Sequence, residues 1–268
     1  MTYSPEAESS RPPIVLVHGN PENAAVWGPV LEVLDRDDVF TLSPPGFGAP
    51  LPTGFKATVT GYRDWLIRQL EQFGRPVDLV GHDWGGAHVA QVAMQRPDLI
   101  RSWASDQMQL FAPDYEWHAL ALVWQQPDVG EASVAELFCG PFEQRMAVVG
   151  GMGITGVLAE RVAAGFDEAL ASAVLSLLRS AAQPVMAEAG RELSKARQRP
   201  GLVLVPTADP NGTVQMHQWA AAEAGAEIAI LEDVVHWWPE QNPRPAAEAL
   251  IRFWAGLPAG SPAERRGH

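Results

Sequence analysis

The sequence predicts an α/β fold with a mostly parallel central sheet, helices on both faces and an inserted helical cap. Short apolar runs alternate with helix-like stretches over most of the chain, which is the pattern of a parallel sheet. The alternation stops between residues 112 and 199, where only helix-like stretches occur. With 268 residues, 47% of them hydrophobic, the chain can form one large core and a lid.

The predicted elements follow each other in a simple order. Strands are expected at residues 13–17, 38–42, 76–80, 99–105, 201–205 and 226–231, and core helices at 60–73, 86–96, 213–224 and 244–255. We expect a flexible leader (1–12), a first core part (13–111), the cap (112–199), a second core part (200–257) and a disordered tail (258–268) rich in Pro, Gly and charge.

The turn after the third predicted strand reads Gly81-His82-Asp83-Trp84-Gly85. Strand, tight turn and helix with small residues on both sides is the form of a nucleophile elbow, here with Asp83 in place of the usual serine. A carboxylate that attacks an sp³ carbon displaces a leaving group and forms an alkyl ester on its own side chain. The expected substrate is a small apolar molecule with an electrophilic carbon, and water is the co-substrate. Taken alone, Asp83 could also be a helix N-cap.

Two later residues complete a possible triad. Asp209 and His236 each follow a predicted strand, so both should lie at one edge of the parallel sheet. The order nucleophile, acid, histidine indicates His236 as general base and Asp209 as the residue that orients it. The backbone N–H groups of Asn20, in the loop after the first strand, and of Trp84 are the expected oxyanion donors.

The motifs HGNP (18–21), SPPGFGAP (43–50) and GHDWGG (81–86), with the late Asp and His, resemble the haloalkane dehalogenase and epoxide hydrolase branch of the α/β-hydrolases. The resemblance implies an α/β-hydrolase fold, although the antiparallel strands that usually begin the sheet would be missing here. It also implies that Asn20 and Trp84 bind the departing halide. Some dehalogenases carry the acid after an earlier strand, where this chain has Asp106-Gln107. Counted from the elbow, Gln107 rather than Asp106 falls at that position, so Asp209 is the expected acid and Asp106 the alternative.

We expect hydrolytic dehalogenation of a small haloalkane to an alcohol and halide, with hydrolysis of an epoxide to a diol as the alternative. Epoxide hydrolases use paired cap tyrosines, whereas the only tyrosines here are Tyr3, Tyr62 and Tyr115. Tyr115 alone, or His118, could donate a proton from the cap. An esterase and a non-catalytic binding protein of the same fold are more remote alternatives.

The cap should supply the substrate pocket. Its large apolar side chains are the candidates, although most should form the interior of the cap: Trp117, Trp124, Phe138, Phe142, Met146 and Met152. The glycines of the 150–153 run predict a flexible turn.

Composition and charge argue against several kinds of partner, metal site and membrane segment. A formal charge of −13 disfavours nucleic acid or an anionic membrane as partner. The single Cys139 should be a buried small hydrophobe, and no Cys/His spacing indicates a metal, so we expect no metal and no cofactor. No apolar run approaches the roughly 18 residues of a membrane span, and residues 1–13 do not have the form of a signal peptide. We therefore expect a cytoplasmic protein; the sequence indicates no oligomeric state.

Overall fold

A computed structural model describes residues 11–258 of the chain. Its single sheet has six strands: β1 Ile14–Val17, β2 Val39–Leu42, β3 Val77–Gly81, β4 Ile100–Ser105, β5 Gly201–Pro206 and β6 Glu227–Leu231. The order is β2-β1-β3-β4-β5-β6, and every neighbouring pair is parallel. The six predicted strands are confirmed, each to within one residue at either end.

The helices are α1 Gly28–Leu34, α2 Val59–Glu71, α3 Trp84–Gln95, α4 Ala119–Gln125, α5 Val129–Phe138, α6 Phe142–Gly151, α7 Gly156–Ala164, α8 Glu168–Ser180, α9 Val185–Gly190, α10 Val214–Ala224, α11 Trp238–Gln241 and α12 Pro243–Gly256. Short 3₁₀ turns lie at Ala24–Trp27, Pro97–Leu99, Met108–Phe111 and Leu193–Gln198. The four predicted core helices correspond to α2, α3, α10 and α12 and are confirmed to within two residues.

Local sequence explains where the core helices begin and end. The Thr58 hydroxyl accepts the Gly61 N–H and starts α2, and Thr213 caps α10 in the same way through the Met216 N–H. Helix α10 ends at Gly225, whose φ of 63° is the left-handed conformation that glycine adopts most easily. Helix α3 packs on α2 and on the sheet, whereas α1 packs on α11 and α12. The predicted α/β architecture, with helices flanking a parallel sheet, is confirmed.

The core lies around the middle strands. Every residue of β1, β3 and β5 is buried, and β4 is buried except at Arg101. The edge strands β2 and β6 are partly exposed. Since all strands are parallel, the loops after β1, β3, β4, β5 and β6 gather at the same edge of the sheet.

The segment between β4 and β5 is helical, as expected for a cap. Residues 158–182 read as one continuous helix in the sequence, but the structure divides them between α7 and α8, because the Asp167 carboxylate accepts the Leu170 N–H and begins a new helix. Gly150 and Gly151 belong to α6, so the expected flexible turn is wrong there.

Two further expectations concern exposure and the chain ends. Cys139 is exposed just after α5, so the prediction of a buried thiol is wrong. The leader and tail predictions fall largely on residues 1–10 and 259–268, which lie outside the described residues. Within residues 11–258 no single helix is long and apolar enough to cross a membrane, and the one bent pair that passes, Glu168–Ser180 with Val185–Gln198, does so by length and composition only.

Candidate active site

Asp83 stands on the sharp turn between β3 and α3. Its φ of 50° and ψ of −130° are unusual for a residue with a side chain, and such strain persists only where the surroundings impose it. A Cβ on Gly85 would lie 2.1 Å from the Val17 carbonyl oxygen, and one on Gly19 would collide with the Asp83 carboxylate. The glycines of the two motifs therefore allow the loop after β1 to close against the turn that carries Asp83.

The two carboxylate oxygens of Asp83 have different partners. Oδ1 accepts the backbone N–H of Asn20 at 2.9 Å. Oδ2 lies 3.5 Å from His236 Nε2 and 3.5 Å from the Gln107 side-chain nitrogen. Burial raises the pKa of Asp83, but the hydrogen bond and charge of His236 outweigh it and hold the pKa below its ordinary value. Asp83 is therefore a buried, ionised carboxylate with one oxygen held and the other facing an imidazole.

His236 and Asp209 form the other half of the predicted triad. His236 Nδ1 lies 2.7 Å from Asp209 Oδ2, and the second oxygen of Asp209 accepts the Asn211 N–H at 2.8 Å. Burial opposes the charged form of His236, yet the carboxylates of Asp209 and Asp83 raise its pKa well above the ordinary value. The pKa of Asp209 is lowered, because its bond to His236 outweighs burial. The structure brings all three predicted residues together, with the His236 ring between the carboxylates of Asp83 and Asp209.

Asp106, the alternative acid, lies behind the turn rather than beside His236. Its Oδ1 accepts the backbone N–H of Asp83 at 3.0 Å, and its Oδ2 accepts from His82 Nδ1 at 2.5 Å and Trp238 Nε1 at 2.6 Å. The backbone N–H of Asp83 thus occupies one oxygen of Asp106, and the side chains of His82 and Trp238 occupy the other. Asp209 and not Asp106 contacts His236, and Asp106 anchors the backbone of Asp83.

Sequence reasoning missed a second buried acid, Glu22. Its carboxylate accepts the Gly19 N–H at 2.7 Å and lies 3.8 Å from His82 Nε2. Burial raises the pKa of Glu22 to about 7. Burial opposes the charge of His82, but Asp106 and Glu22 together raise its pKa. The signal available in the sequence was position alone, since Glu22 directly follows the HGNP motif and His82 precedes Asp83.

Asn20 and Trp84, the predicted leaving-group donors, both lie at the turn. Asn20 is buried, and its side-chain amide nitrogen has no hydrogen-bond partner in the described part of the chain. Trp84 follows Asp83 directly and begins α3, so its backbone N–H belongs to the helix N-terminus. The Trp84 ring stacks on Trp117 with 6.0 Å between centroids, and the edge of Tyr115 meets Trp117 at 5.2 Å. An aromatic wall of these three side chains therefore begins beside Asp83.

His118 follows this wall and caps α4, its Nδ1 accepting the Ala121 N–H at 3.2 Å. A ring nitrogen that accepts carries no proton, so the neutral ring carries its proton on Nε2. Burial lowers the pKa of His118 and keeps it neutral. The negative charges of Asp83 and Asp209 add to the effect of burial in raising the pKa of Tyr115, and they partly offset the effect of burial on the pKa of His118.

The remaining pocket candidates lie elsewhere. Trp124 and Phe138 pack on each other, and Phe138 on Phe166, inside the cap. Phe142 is 43% exposed under the guanidinium of Arg145, and its assignment to the pocket stays a prediction. Met146 and Met152 are partly buried against the hydrophobic core. Of the six predicted side chains, Trp117 is the one whose ring contacts a residue of the elbow.

His18 has a structural role, because its ring nitrogens form hydrogen bonds. Nδ1 lies 2.8 Å from the Gly19 carbonyl oxygen, and Nε2 lies 3.1 Å from the Ser43 hydroxyl. Burial lowers its pKa to about 4, so it is neutral. Among residues 11–258 no group of three or more His, Cys, Asp or Glu side chains is placed to hold a metal ion.

Comparison with known proteins places this geometry in a family. Residues 14–249 match the alpha/beta hydrolase family. The (E)-2-((N-methylformamido)methylene)succinate hydrolase of Acinetobacter baylyi is 32% identical over 94 residues, which is 34% of this chain and 36% of that protein. The matched segment thus spans about a third of the length of that relative.

Solved structures show the same fold. Haloalkane dehalogenase DbeA from Bradyrhizobium elkani USDA94 superposes with a TM-score of 0.70 at 18% identity, covering 93% of both chains. An E-2-(acetamidomethylene)succinate hydrolase superposes with a TM-score of 0.72 at 20% identity, covering 91% of both chains. With the family match over most of its length, the chain belongs to the alpha/beta hydrolase family.

Proposed function

We propose that this hydrolase attacks an electrophilic sp³ carbon with Asp83, and that its reaction is the conversion of a small haloalkane to an alcohol and halide. One observation carries the proposal. A carboxylate stands at the elbow where serine usually stands, with Oδ1 held by the Asn20 N–H and Oδ2 directed at His236. Such a carboxylate is suited to displacement at an alkyl carbon, because the ester it forms can be hydrolysed by water that the adjacent imidazole activates.

In the first step Asp83 Oδ2 forms a bond to the carbon as the carbon–halogen bond breaks. The electron pair of that bond leaves with the halide, which needs hydrogen-bond donors but no proton. The side-chain nitrogens of Asn20 and Trp117 are buried and have no partner among residues 11–258, and the indole of Trp84 lies against Trp117. A buried donor without a partner is costly, so an anion accepting from these groups would be stabilised.

In the second step water hydrolyses the ester. Alkylation removes the negative charge of Asp83, which is one of the two carboxylate charges that raise the pKa of His236. The imidazole can then be neutral, take a proton from water and direct the hydroxide to Cγ of the ester. Asn20 N–H stabilises the charge that develops on Oδ1, and Asp209 stabilises the imidazolium that results.

The walls of the site favour an apolar substrate. Trp84, Trp117 and Tyr115 present aromatic surface beside Asp83. A succinate derivative, as named for two of the similar proteins, carries carboxylates, and none of these three side chains supplies a positive charge to pair with them. A neutral haloalkane carries no such penalty.

Epoxide hydrolysis is the second candidate, and Tyr115 and His118 are the observation that favours it. Opening an epoxide produces an alkoxide that needs a proton donor. The hydroxyl of Tyr115 and the Nε2–H of neutral His118 both lie within electrostatic reach of Asp83. An esterase reaction through an acyl anhydride of Asp83 would gain little over direct hydrolysis, and a binding role would leave the triad without a purpose.

Turnover of a panel of chloro-, bromo- and iodoalkanes and of epoxides tests the proposal, with released halide and diol measured separately. We expect halide release that Asp83→Ala abolishes and that Asp98→Ala, an exposed carboxylate paired with Arg96, leaves unchanged. Diol without halide would support the epoxide alternative. Steady halide release by Asp83→Ala would overturn the mechanism.

A further inference from the structure

The side chain of Gln107 reaches the reacting carboxylate, and no step described so far uses it. We propose that Gln107 is a further catalytic residue of the ester-hydrolysis step, in which its amide N–H stabilises Asp83 Oδ2 as that oxygen departs with the product alcohol. The inference rests on the proposed alkyl ester at Asp83 and adds a residue to its second step.

The orientation of the Gln107 amide follows from its partners. Its nitrogen Nε2 lies 3.5 Å from Asp83 Oδ2, and its oxygen Oε1 accepts from the Gln109 side-chain nitrogen at 2.9 Å. An ionised carboxylate only accepts hydrogen bonds, so the amino end of Gln107 must face Asp83. Its carbonyl end then needs a donor, and Gln109 supplies one. The two amides therefore form a chain that directs one N–H at Oδ2.

Both amides are held rigidly. Gln107 is 5% exposed, and its backbone N–H donates to the Ser105 hydroxyl at 3.1 Å. Gln109 is fully buried in the 3₁₀ turn Met108–Phe111. A Cβ added to Gly212 would lie 2.4 Å from Gln109 Cγ, so the Asp209 loop packs directly on this side chain. The amide chain thus joins the loop after β4 to the loop that carries the acid.

The chemistry of hydrolysis explains why a donor is needed on Oδ2. The first step turns Oδ2 into the ester oxygen that bears the alkyl group. When water attacks Cγ, the proton goes to His236 and the Cγ–Oδ2 bond then breaks, with its electron pair passing to Oδ2. That oxygen leaves as the alcohol oxygen after taking the proton back from His236 Nε2, which lies 3.5 Å away.

Negative charge therefore appears on both oxygens of Asp83 at different moments. The Asn20 N–H donates to Oδ1 when the tetrahedral intermediate forms, and the Gln107 amide donates to Oδ2 when that intermediate breaks down. The 3.5 Å separation is long for a hydrogen bond in the free enzyme, and such contacts tighten as charge develops. In the first step the same N–H stabilises the carboxylate before it attacks, so it gives no advantage there.

The two steps should respond differently to removal of this donor. Gln107→Met keeps most of the side-chain volume and loses the N–H. We expect decay of the alkyl-enzyme to slow by roughly 10- to 1,000-fold, the upper range being that for loss of one oxyanion donor. Formation of the alkyl-enzyme should change by less than about threefold, since the donor is not needed in that step. Gln109→Leu frees the Gln107 amide and should slow decay in the same direction by a smaller factor.

The experiment is rapid-quench intact-mass spectrometry of the full chain with a bromoalkane that it turns over. Fractions of free and alkylated protein against time give the two rate constants for wild type, Gln107→Met, Gln109→Leu and the control Gln91→Leu, which removes a buried amide farther along α3. The inference requires that adduct accumulate in Gln107→Met and that the control behave as wild type. Wild-type decay in Gln107→Met, or equal slowing of both steps, overturns it.

The same data separate this inference from the proposed function. If no haloalkane or epoxide gives an adduct in wild type, in His236→Ala or in the Gln107 variant, the alkyl ester does not form and both proposals fall. If wild type forms an adduct that decays at the same rate in Gln107→Met, the alkyl ester stands and only the role of Gln107 is refuted.

Discussion

The carboxylate of Asp106 holds the backbone of the turn at Asp83, and Asp106→Asn tests whether the turn needs this contact. Asp106 accepts three hydrogen bonds from buried donors, namely Asp83 N–H, His82 Nδ1 and Trp238 Nε1. An asparagine has one accepting oxygen in place of two. If that oxygen keeps His82 and Trp238, its NH₂ group faces the N–H of Asp83, and two donors meet.

The magnitude follows from these contacts. Loss of a hydrogen bond from a charged acceptor to a buried N–H costs about 1.5–3 kcal/mol. The substitution also removes the buried carboxylate charge beside His82 Nδ1, and breaking a buried ion pair costs about 3–5 kcal/mol in the extreme case. We expect the free energy of unfolding to fall by about 3 kcal/mol, which lowers the Tm of a domain of this size by roughly 6–12 °C.

Thermal unfolding followed by circular dichroism, with alkyl-enzyme formation measured well below the transition, checks both consequences. Asp78→Asn is the matched control, since Asp78 is an equally buried carboxylate that accepts from Arg101 and Ser102 away from the elbow. We expect both variants to lose stability and only Asp106→Asn to slow alkylation. A Tm within about 2 °C of wild type, or alkylation at the wild-type rate, would refute the anchoring role of Asp106.

Three further outcomes follow from the site. Asp209→Asn should slow decay of the alkyl-enzyme by roughly 10³–10⁴-fold while formation continues, because it removes the charge that stabilises the imidazolium; unchanged decay in rapid-quench experiments would contradict this. The rate at which the alkyl-enzyme decays should rise with pH through the pKa of His236 in the alkyl-enzyme. The rate at which it forms should stay constant down to acidic pH, because the pKa of Asp83 is lowered. A decay rate independent of pH between about 5 and 9 would exclude His236 as the base. Tyr115→Phe should impair the opening of an epoxide but leave halide release nearly unchanged, and an equal loss of both in turnover assays would show that Tyr115 shapes the pocket instead.

The strands and the placement of Asp83, Asp209 and His236 at one sheet edge could be predicted because their signals are short-range. Each strand is a run of apolar residues ended by Gly, Pro or a polar loop, and the parallel order places every loop with Asp83, Asp209 or His236 at one sheet edge. The tight turn at Asp83 also follows from local sequence, since its glycine neighbours lie where the facing backbone leaves no room for a side chain.

The support behind the elbow could not be predicted, because its contacts join distant parts of the chain. Trp238 and Asp106 are 132 residues apart in sequence, and Glu22 meets His82 from a different loop. A buried carboxylate carries no local pattern that distinguishes an anchor from a triad acid. The sequence alone therefore leaves Asp106 open as an alternative acid, and its three hydrogen-bond partners identify it as an anchor of the turn.

The cap was predicted as helical but not in its detail. Apolar residues at helical spacing do not reveal which face turns inward, so Trp124 and Phe138 could not be separated from Trp117 before their ring contacts were known. The break before α8 depends on a single capping aspartate, Asp167, within a sequence that otherwise continues as helix. The sequence shows only that Gln107 follows β4, whereas the orientation of its amide depends on Gln109 and Asp83.

The central claim, that Asp83 forms an alkyl ester, is tested most directly by intact-protein mass spectrometry of His236→Ala after incubation with a haloalkane, followed by peptide mapping. Without the base the ester should persist, so we predict a mass gain equal to the alkyl group with halide lost, located on the peptide that contains Asp83. A mass gain equal to a whole epoxide, seen only with epoxides, would keep the nucleophile but change the leaving group. No adduct with any haloalkane or epoxide, or an adduct on another residue, would contradict the claim.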